Sequence, residues 1–186
     1  MNKDDIRRRV KARKCLLSET EKENAAERAF AILERTAAFK LADRILMYHS
    51  LPDELPTRSF IAKWAAHKHF YLPRVNGVNL DILPYDEQNL ALGSFHIEEP
   101  TGNDTASMAD IEMVVVPAVA FDRNGNRVGR GKGYYDRLLG DTKALKVGIG
   151  FDFQLMDEEI GAEPHDVALD IVITENNHII VRHKRR

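Results

Sequence analysis

The segment from Asn126 to Leu139, with the sequence NRVGRGKGYYDRLL, combines glycines, basic residues and aromatic residues at close spacing. Gly129, Gly131 and Gly133 permit positive φ angles and let a ligand approach the backbone closely. A glycine-rich loop that leads into a helix presents several backbone N–H groups, together with the helix dipole, to an anion. The segment therefore favours a phosphate-binding loop.

The side chains of the same segment extend this interpretation. They are Arg127, Arg130, Lys132, Tyr134, Tyr135 and Asp136. Arginine and lysine place positive charge where phosphate oxygens would lie, and arginine can bind a phosphate through two N–H groups. The tyrosines can stack on a planar ring or close a pocket. Because a carboxylate would repel phosphates unless a cation such as Mg²⁺ lay between them, the set indicates a polyphosphate–metal site.

A surface turn with scattered charges is the alternative, since Gly-x-Gly-x-Gly is by itself a weak pattern. The segment is not a P-loop, because no Ser or Thr follows Gly-Lys. It is not the dinucleotide-binding fingerprint either, because an Asn-Gly turn separates it from the preceding strand.

Four helices are predicted from capping signals and apolar spacing. The first covers residues 3–17, and its basic residues recur on one face, where a solvated surface is the alternative reading. These residues are Lys3, Arg7, Lys11 and Lys14. Ser18 and Glu21 form a capping box that opens the second helix, and Thr57 is predicted to cap the third. The fourth begins at GYYDRLL and ends at Gly140.

Strands alternate with these helices along the chain. RILMYHS, HFYLPRV, NLDILPY, ALKVGIGF, LDIVITE and HIIVR each read as a strand. The continuous apolar run IEMVVVPAVAF predicts a strand buried on both faces of a parallel sheet. We therefore expect an α/β fold with three layers around a mostly parallel central sheet, in one domain covering residues 1–186.

Composition indicates an ordinary globular protein, with 44% hydrophobic and 30% charged residues and a formal net charge of -2. That charge gives no global reason to expect nucleic acid or an acidic membrane as a partner. The chain has one cysteine, Cys15, which we interpret as a helix residue, so neither a disulfide framework nor a cysteine-based metal cluster is expected. No apolar run approaches membrane-spanning length, and we expect a cytoplasmic protein of monomeric size.

The segment VVVPAVAFDRNGNRVGRGKGYYDRLL resembles the signature of the 5-formyltetrahydrofolate cyclo-ligase family, also called methenyltetrahydrofolate synthetases. The basic first helix and the segments SLPDELPT, FYLPRV, GSFHIEEP and EPHDVALDIVIT extend the resemblance along the chain. The resemblance implies a fold similar to those of sugar-phosphate isomerases and coenzyme A transferases. It also implies conversion of 5-formyltetrahydrofolate to 5,10-methenyltetrahydrofolate, with ATP and Mg²⁺ as cofactors and phosphorylation of the formyl oxygen.

The resemblance also assigns roles to particular residues. Lys3 and Arg7 correspond to the ATP-binding pair of the first helix, and the nucleotide loop covers Arg127 and residues 129–135. Within that loop, Lys132 and Arg130 are expected to act in catalysis, with Lys132 at the γ-phosphate, and residues 130–134 are also expected to contact the folate. Asp136 and Asp166 correspond to the Mg²⁺ positions; from the residues alone, the PHD segment at 164–166 reads as a loop or cap.

The SLPDELPT segment corresponds to a folate-contacting loop, with Leu51 and an acidic residue as the contacts. Some family members carry an acidic residue directly before the threonine, where this chain has Pro56. Asp53 and Glu54 remain as candidates, of which Glu54 is preferred, and a plain helix-entry turn is the alternative. Four aromatic residues could line the pterin pocket or fill the core, with core as the default: Tyr48, Phe70, Tyr85 and Phe95.

The sequence is also compatible with two other functions. An α/β enzyme of the related folds could use the glycine loop for a sugar phosphate. A non-catalytic module could instead bind nucleotides or nucleic acid through the basic first helix and the tyrosines, with a steep salt dependence. We expect neither nucleic acid nor a membrane as a partner, but a small folate substrate, which could carry a polyglutamate tail.

Overall fold

The computed structural model describes residues 2–93 and 98–182. In these residues the α-helices are α1 (Lys3–Lys14), α2 (Glu19–Arg35), α3 (Ala37–Leu41), α4 (Arg58–Trp64) and α5 (Tyr134–Leu139). Single turns of 3₁₀-helix cover Glu87–Asn89, Met108–Asp110 and Asp152–Gln154. The strands are β1 (Arg44–Leu46), β2 (His69–Asn76), β3 (Asn79–Pro84), β4 (Leu90–Leu92), β5 (Glu98–Pro100), β6 (Met113–Val116), β7 (Ala120–Asp122), β8 (Arg127–Val128), β9 (Leu145–Ile149), β10 (Leu155–Met156), β11 (Ile171–Ile173) and β12 (His178–Ile180).

The main sheet has the strand order β12-β11-β9-β6-β1-β2-β3. The strands from β11 to β2 run parallel to one another, and the edge strands β12 and β3 pair antiparallel. The strands β10, β7 and β8 form a smaller sheet, and β4 pairs with β5. The predicted mostly parallel central sheet is therefore confirmed.

Alternating side chains cover the two faces of the main sheet. Ile45 and Met113 belong to a core that also contains residues of α2, α3 and α4, including Phe30. Leu46 and Val114, the next residue along each strand, belong to a second core that contains residues of α5 and the segments flanking it. Because all four residues of β6 are buried, the strand is covered on both faces, as its apolar run predicted. The result is the expected three-layer arrangement.

The predicted strand over residues 111–121 is wrong in its extent, because the run forms two strands. β6 ends at Val116, and β7 begins at Ala120 in the smaller sheet. Pro117 lies between them, and proline has no N–H group with which to continue a strand ladder. The break turns the chain away from the main sheet directly before the glycine-rich segment.

The helix caps confirm one prediction and correct another. Ser18 and Glu21 form the expected capping box: the N–H of Ser18 donates to the Glu21 carboxylate and the N–H of Glu21 donates to Ser18 Oγ. Thr57 precedes α4, but its side chain makes no capping hydrogen bond. Its hydroxyl instead donates to the carbonyl of Tyr48 and accepts from the N–H of Ser50, so Thr57 fixes the loop after β1.

The first helix is shorter than predicted. It ends at Lys14, and Cys15 is an exposed residue directly beyond it rather than a helix residue. Ser18 takes an extended conformation to cap α2, so the chain leaves the helical conformation before that residue. Ile6 and Val10 of α1 pack against residues of the smaller sheet, which places the polar face of α1 beside the glycine-rich segment.

Strand β1 is also shorter than the RILMYHS pattern predicted, since it ends at Leu46. The following residues, Met47 to His49, are buried without strand geometry. In the described part of the chain, no helix combines the length and apolar character needed to cross a membrane.

Candidate active site

A cavity of about 670 Å³ lies beyond the carboxyl ends of strands β1 and β6. Tyr48 and His49 follow β1 at its wall, and Pro117 and Ala118 follow β6. Ligands of open α/β sheets bind in this position, outside the carboxyl ends of the strands. Every residue that the sequence predicted for the site lines this cavity: Lys3, Arg7, Leu51, Glu54, Arg127, Gly129, Arg130, Gly131, Lys132, Gly133, Tyr134, Tyr135, Asp136 and Asp166.

The glycine loop, residues 129–133, runs along one wall of the cavity. Gly131 and Gly133 have φ angles of 96° and 67°, in the region that L-residues with a side chain rarely adopt. Arg7 of α1 donates from Nε to the carbonyl oxygen of Gly129 at 3.0 Å. The loop therefore takes its shape from its own glycines and from a direct contact with the first helix.

Lys3 and Arg7 are one helical turn apart and both face this cavity. The alternative interpretation, that they belong only to a solvated surface of the helix, is therefore wrong for these two residues. Lys3 Nζ lies 2.7 Å from a carboxylate oxygen of Asp166, and Arg7 Nη1 lies 2.6 Å from Asp4. Lys11 remains exposed, whereas Lys14 is buried. The helix thus contributes two cations to the cavity and one to the protein interior.

Arg130 connects the glycine loop to the loop at residues 50–57 across the cavity. Its Nη2 lies 2.7 Å from Asp53 Oδ1 and 3.1 Å from Glu54 Oε1, and its Nε lies 3.3 Å from the same Glu54 oxygen. These contacts use Nε and Nη2, so the Nη1 group is the part of the guanidinium that remains for a ligand. A phosphate bound at Arg130 would therefore compete with two carboxylates for the positive charge of the guanidinium group.

The structure separates the roles of Asp53 and Glu54. Glu54 lines the cavity, and its second oxygen accepts the N–H of Leu51 at 2.9 Å. Asp53 bridges Arg130 to the buried Lys14, whose Nζ lies 3.5 Å away. Burial lowers the pKa of Lys14, an effect that the Asp53 and Glu54 carboxylates partly offset. Asp53 therefore fixes the position of the loop, and Glu54 is the acid that faces the cavity.

The buried Arg127 pairs with the partly buried Asp136 in the lining of the cavity. Nη2 of Arg127 lies 2.5 Å from Asp136 Oδ1, which also accepts the N–H of Val167 at 3.2 Å. Nε of Arg127 is buried and has no hydrogen-bond partner among the described residues. Such a group needs a partner to offset its desolvation, so a bound ligand or an ordered water molecule is expected beside it.

The acidic residues of the cavity offer carboxylate oxygens, which are the type of ligand atom that a magnesium ion prefers. Ligand atoms of Glu163, His165 and Asp166 lie within 4.8 Å of one another. Asp136 lies outside that group although it lines the same cavity. Arg127 contacts one carboxylate oxygen of Asp136, and Lys3 contacts one carboxylate oxygen of Asp166. The second oxygen of each carboxylate can therefore bind a ligand. Mg²⁺ in nucleotide sites typically takes one or two carboxylates together with phosphate oxygens and water.

The electrostatic setting keeps Asp166 ionised. Burial alone would raise its pKa, but the N–H of Glu163 and the ammonium group of Lys3 hold the pKa below its usual value. Tyr48 and Tyr135 show the opposite effect, since burial and the nearby Glu54 carboxylate raise the pKa of both phenols. These tyrosines therefore remain protonated and can donate hydrogen bonds.

His49, Glu98 and Glu99 are among the cavity residues that were not predicted as site residues. His49 is buried, and its Nδ1 lies 3.4 Å from Glu98 without hydrogen-bond alignment. Glu98 pairs with Arg58, and Glu99 accepts the N–H of Val75 at 3.1 Å. The two glutamates lie in the GSFHIEEP segment that carried the resemblance, which was the available signal for them.

The aromatic residues considered for the pterin pocket were expected by default to lie in the core, and one of them also reaches the cavity. Phe70 belongs to the core, and Tyr85 packs against it. Tyr48 lies in the same core but also reaches the cavity. Phe95 lies outside the described residues.

Fold and site together define an α/β protein whose sheet carries a cavity lined by glycines and by basic and acidic side chains, at the carboxyl ends of its parallel strands. The model of the 5-formyltetrahydrofolate cyclo-ligase family matches residues 1–175, and the chain belongs to that family.

Individual relatives agree with this assignment. The 5-formyltetrahydrofolate cyclo-ligase of Escherichia coli K12 is 29% identical over 175 residues, covering 89% of this chain and 96% of the relative. The mouse enzyme of the same name is 28% identical over 156 residues, covering 75% of this chain and 76% of the relative. The solved structure of Aquifex aeolicus 5,10-methenyltetrahydrofolate synthetase superposes with a TM-score of 0.89 at 32% identity, covering 100% of this chain and 96% of that one.

Proposed function

We propose that this protein converts 5-formyltetrahydrofolate to 5,10-methenyltetrahydrofolate, with hydrolysis of ATP to ADP and phosphate and with Mg²⁺ as cofactor. The observation that carries the proposal is the convergence of three separate segments on one cavity. These are α1 with Lys3 and Arg7, the glycine loop, and the 50–57 loop with Leu51 and Glu54. Membership of the family supplies the reaction that such a cavity would perform.

The chemistry explains why such a cavity is needed. The formyl group of the substrate is a formamide, which is a poor electrophile, and its oxygen is a poor leaving group. ATP supplies the phosphoryl group that converts this oxygen into a leaving group. The amine on the adjoining side of the substrate then attacks the formyl carbon, the C–O bond breaks, phosphate leaves and the amine loses its proton. The protein must therefore hold a phosphate chain beside a formyl oxygen.

The basic residues of the cavity are placed to hold that phosphate chain. Lys3 and Arg7 approach from α1, and the glycine loop provides backbone N–H groups. Lys132 is exposed at the cavity, so its ammonium group can follow the charge that develops on the transferring phosphoryl group. Arg130 can offer Nη1 while Asp53 and Glu54 hold the rest of its guanidinium. Preorganised donors of this kind stabilise a transition state without reorganising during the reaction.

The folate is expected to lie against the apolar and acidic wall of the cavity. Leu51, Pro73, Val75 and Leu80 supply apolar surface there, and Glu54 supplies an acceptor. A site of this kind, mostly apolar with a few polar groups, suits a planar ring that carries N–H donors. Asp136 and Asp166 would hold the Mg²⁺ ion, which would neutralise part of the phosphate charge.

A spectrophotometric assay tests this proposal directly. The purified protein is mixed with 5-formyltetrahydrofolate, and the near-ultraviolet absorbance band of the methenyl product is followed with ATP and Mg²⁺, with each alone, and with neither. We expect the band to grow only when both are present. A folded protein that produces no band would refute the proposed reaction, and binding screens with sugar phosphates and single-stranded DNA would then separate the two other functions.

The remaining expectations belong to the same proposal. We infer that the protein acts as a monomer in the cytoplasm and binds neither nucleic acid nor membranes. Light scattering coupled to size-exclusion chromatography would measure the mass in solution. A particle of twice the chain mass of 21.1 kDa would contradict the monomer.

A further inference from the structure

Arg137 joins two segments that are far apart in the sequence. Its Nη2 donates to the carbonyl oxygen of Lys132 at 2.9 Å, and its Nε donates to the carbonyl oxygen of Val78 at 2.9 Å. Nη2 also donates to Val78, so the planar guanidinium group binds both carbonyls at once. One side chain thus ties the glycine loop to the turn between β2 and β3.

The residues around Arg137 are shaped for this contact. A Cβ atom at Gly133 would lie 2.9 Å from Nη1 of Arg137, and Gly133 also needs its φ of 67°, so glycine meets both demands. The guanidinium carbon lies 5.5 Å from the centre of the Tyr134 ring. The hydroxyl of Tyr134 donates to the carbonyl of Gly77 at 3.4 Å, so a second side chain of α5 reaches the same turn.

The contact fixes the direction of a peptide group in the glycine loop. In a trans peptide the carbonyl and the N–H of the next residue point in opposite directions, and the described residues contain no cis peptide. Because Arg137 holds the carbonyl of Lys132, the N–H of Gly133 points away from Arg137. Arg7 holds the carbonyl of Gly129 in the same manner at the other end of the loop. Carbonyl oxygens would repel a phosphate, whereas successive N–H groups attract it.

We propose that Arg137 is a positioning residue for the phosphate-binding loop. Arg137 is not among the residues that line the 670 Å³ cavity. It sets the orientation of the Lys132–Gly133 peptide and thereby the place from which the Lys132 ammonium group works. This inference rests on the proposed function, because it concerns the loop to which that function assigns the phosphates.

Steady-state kinetics of two variants test the role. Arg137→Ala removes both contacts and is expected to lower kcat about 10- to 100-fold, since a misplacement of about 1 Å costs that much. Arg137→Lys can reach one of the two carbonyls and should recover part of the loss. The KM for 5-formyltetrahydrofolate should change less than kcat in both variants, because the apolar residues that face the folate are not themselves substituted. Arg123→Ala is the matched control, because Arg123 is an exposed arginine at the nearby β7–β8 turn.

A double variant separates positioning from a general loss of structure. If Arg137 acts largely through Lys132, the loss of turnover in Arg137→Ala combined with Lys132→Ala should be clearly smaller than the product of the two single losses. Losses that multiply in full would overturn the proposal.

Amide hydrogen exchange supplies a readout that does not depend on activity. In the nucleotide-free protein, peptides covering residues 129–134 and 76–79 should exchange faster in Arg137→Ala than in the wild type or in Arg123→Ala, with the rest of the chain unchanged. Exchange equal to that of Arg123→Ala would overturn the inference. If the wild-type protein forms no methenyl product, the proposed function fails, and the exchange comparison still decides whether Arg137 holds the loop.

Discussion

Single residues in the cavity differ in whether their charge serves the ligand or the fold. Lys132 is exposed on the glycine loop, whereas Arg127 is buried and committed to Asp136. Lys3 stands between these cases, since it is partly exposed and pairs with Asp166. Substitutions at these positions should therefore separate catalytic effects from stability effects.

Lys132→Ala should lower kcat about 100- to 1,000-fold, the range for removal of one preorganised donor to a developing charge. The melting temperature should stay near that of the wild type, because the side chain is exposed. Lys143→Ala, which removes another exposed lysine outside the cavity, is the control for both measurements. Turnover retained in Lys132→Ala would remove Lys132 from the mechanism.

Asp136→Asn and Asp166→Asn should differ in stability although both weaken the response to Mg²⁺. Asp136 neutralises the buried Arg127, and loss of one partner of a buried pair costs about 3–5 kcal/mol. Because asparagine keeps an acceptor oxygen for Arg127, the free energy of unfolding of Asp136→Asn should fall by less than this full cost. Asp166 pairs with the more exposed Lys3, so its substitution should lower the melting temperature less than that of Asp136. Urea denaturation and Mg²⁺ titration of turnover measure the two effects; an unchanged Mg²⁺ titration would contradict the metal assignment.

His49 should make the stability of the protein depend on pH. Its pKa is lowered from 6.5 first by burial and then by Arg58, and the Glu98 carboxylate partly offsets both. Since the unfolded chain binds the proton more readily, the free energy of unfolding should fall as the pH drops through about 6.5 and level off below the folded pKa. Tyr85, which faces the imidazole, stays neutral in this range.

Urea denaturation of the wild type and His49→Gln between about pH 7.5 and about pH 5.5 would measure this dependence. The variant should lose less stability over that range. His178→Gln, at an exposed histidine, should follow the wild type. Identical profiles for the wild type and His49→Gln would show that the buried imidazole does not titrate as its surroundings indicate.

At the scale of elements, α1 is bound to the body of the protein by few apolar residues. Ile6 and Val10 pack against Ala120, Val128 and Ile160, while the same helix carries two cavity cations. A weakened apolar contact should therefore affect ATP binding as well as stability.

Ile6→Ala should lower the free energy of unfolding by about 2–4 kcal/mol, as expected for a buried isoleucine. The KM for ATP should rise more than the KM for 5-formyltetrahydrofolate, because Lys3 and Arg7 move with the helix. Leu41→Ala, at an exposed leucine of α3, is the control. Equal changes in both KM values would argue against a nucleotide role for α1.

Local signals in the sequence predicted the elements that depend on local physics. The capping box of Ser18, the apolar run of β6 and the glycine loop each follow from neighbouring residues, and the structure contains all three. The residues to which the resemblance assigned a role all line the cavity. Neighbouring residues alone would not have placed Lys3 beside Asp166, because that contact depends on the tertiary fold.

The errors have the same origin. Thr57 looked like a helix cap, but the loop after β1 competes for its hydroxyl and takes it. Two other features depend on segments that are distant in the chain: the burial of Lys14 and the contact of Arg137 with Val78. The spacing of residues in the sequence does not predict such contacts. Glu98 and Glu99 reach the cavity through the β4–β5 pair, whose short strands give a weak pattern.

For the whole molecule, the prediction of one domain over residues 1–186 is open to a simple test. The single tryptophan, Trp64, packs against Phe39 and so reports on the α3–α4 face of the sheet. One cooperative unit should give coincident urea transitions by tryptophan fluorescence and far-ultraviolet circular dichroism. Two separated transitions would divide the chain into independently folding parts.

The pairing of Lys3 with Asp166 spans 163 residues and has a consequence for biosynthesis. A ribosome delivers α1 long before it delivers the segment that contains Asp166, so a nascent chain carries Lys3 without that partner until residue 166 has been made. Nucleotide affinity should not guide the early stages of folding, because the cavity is incomplete until residues 163–166 have emerged. Chains cut short by premature termination before residue 166 should therefore be unable to sequester ATP.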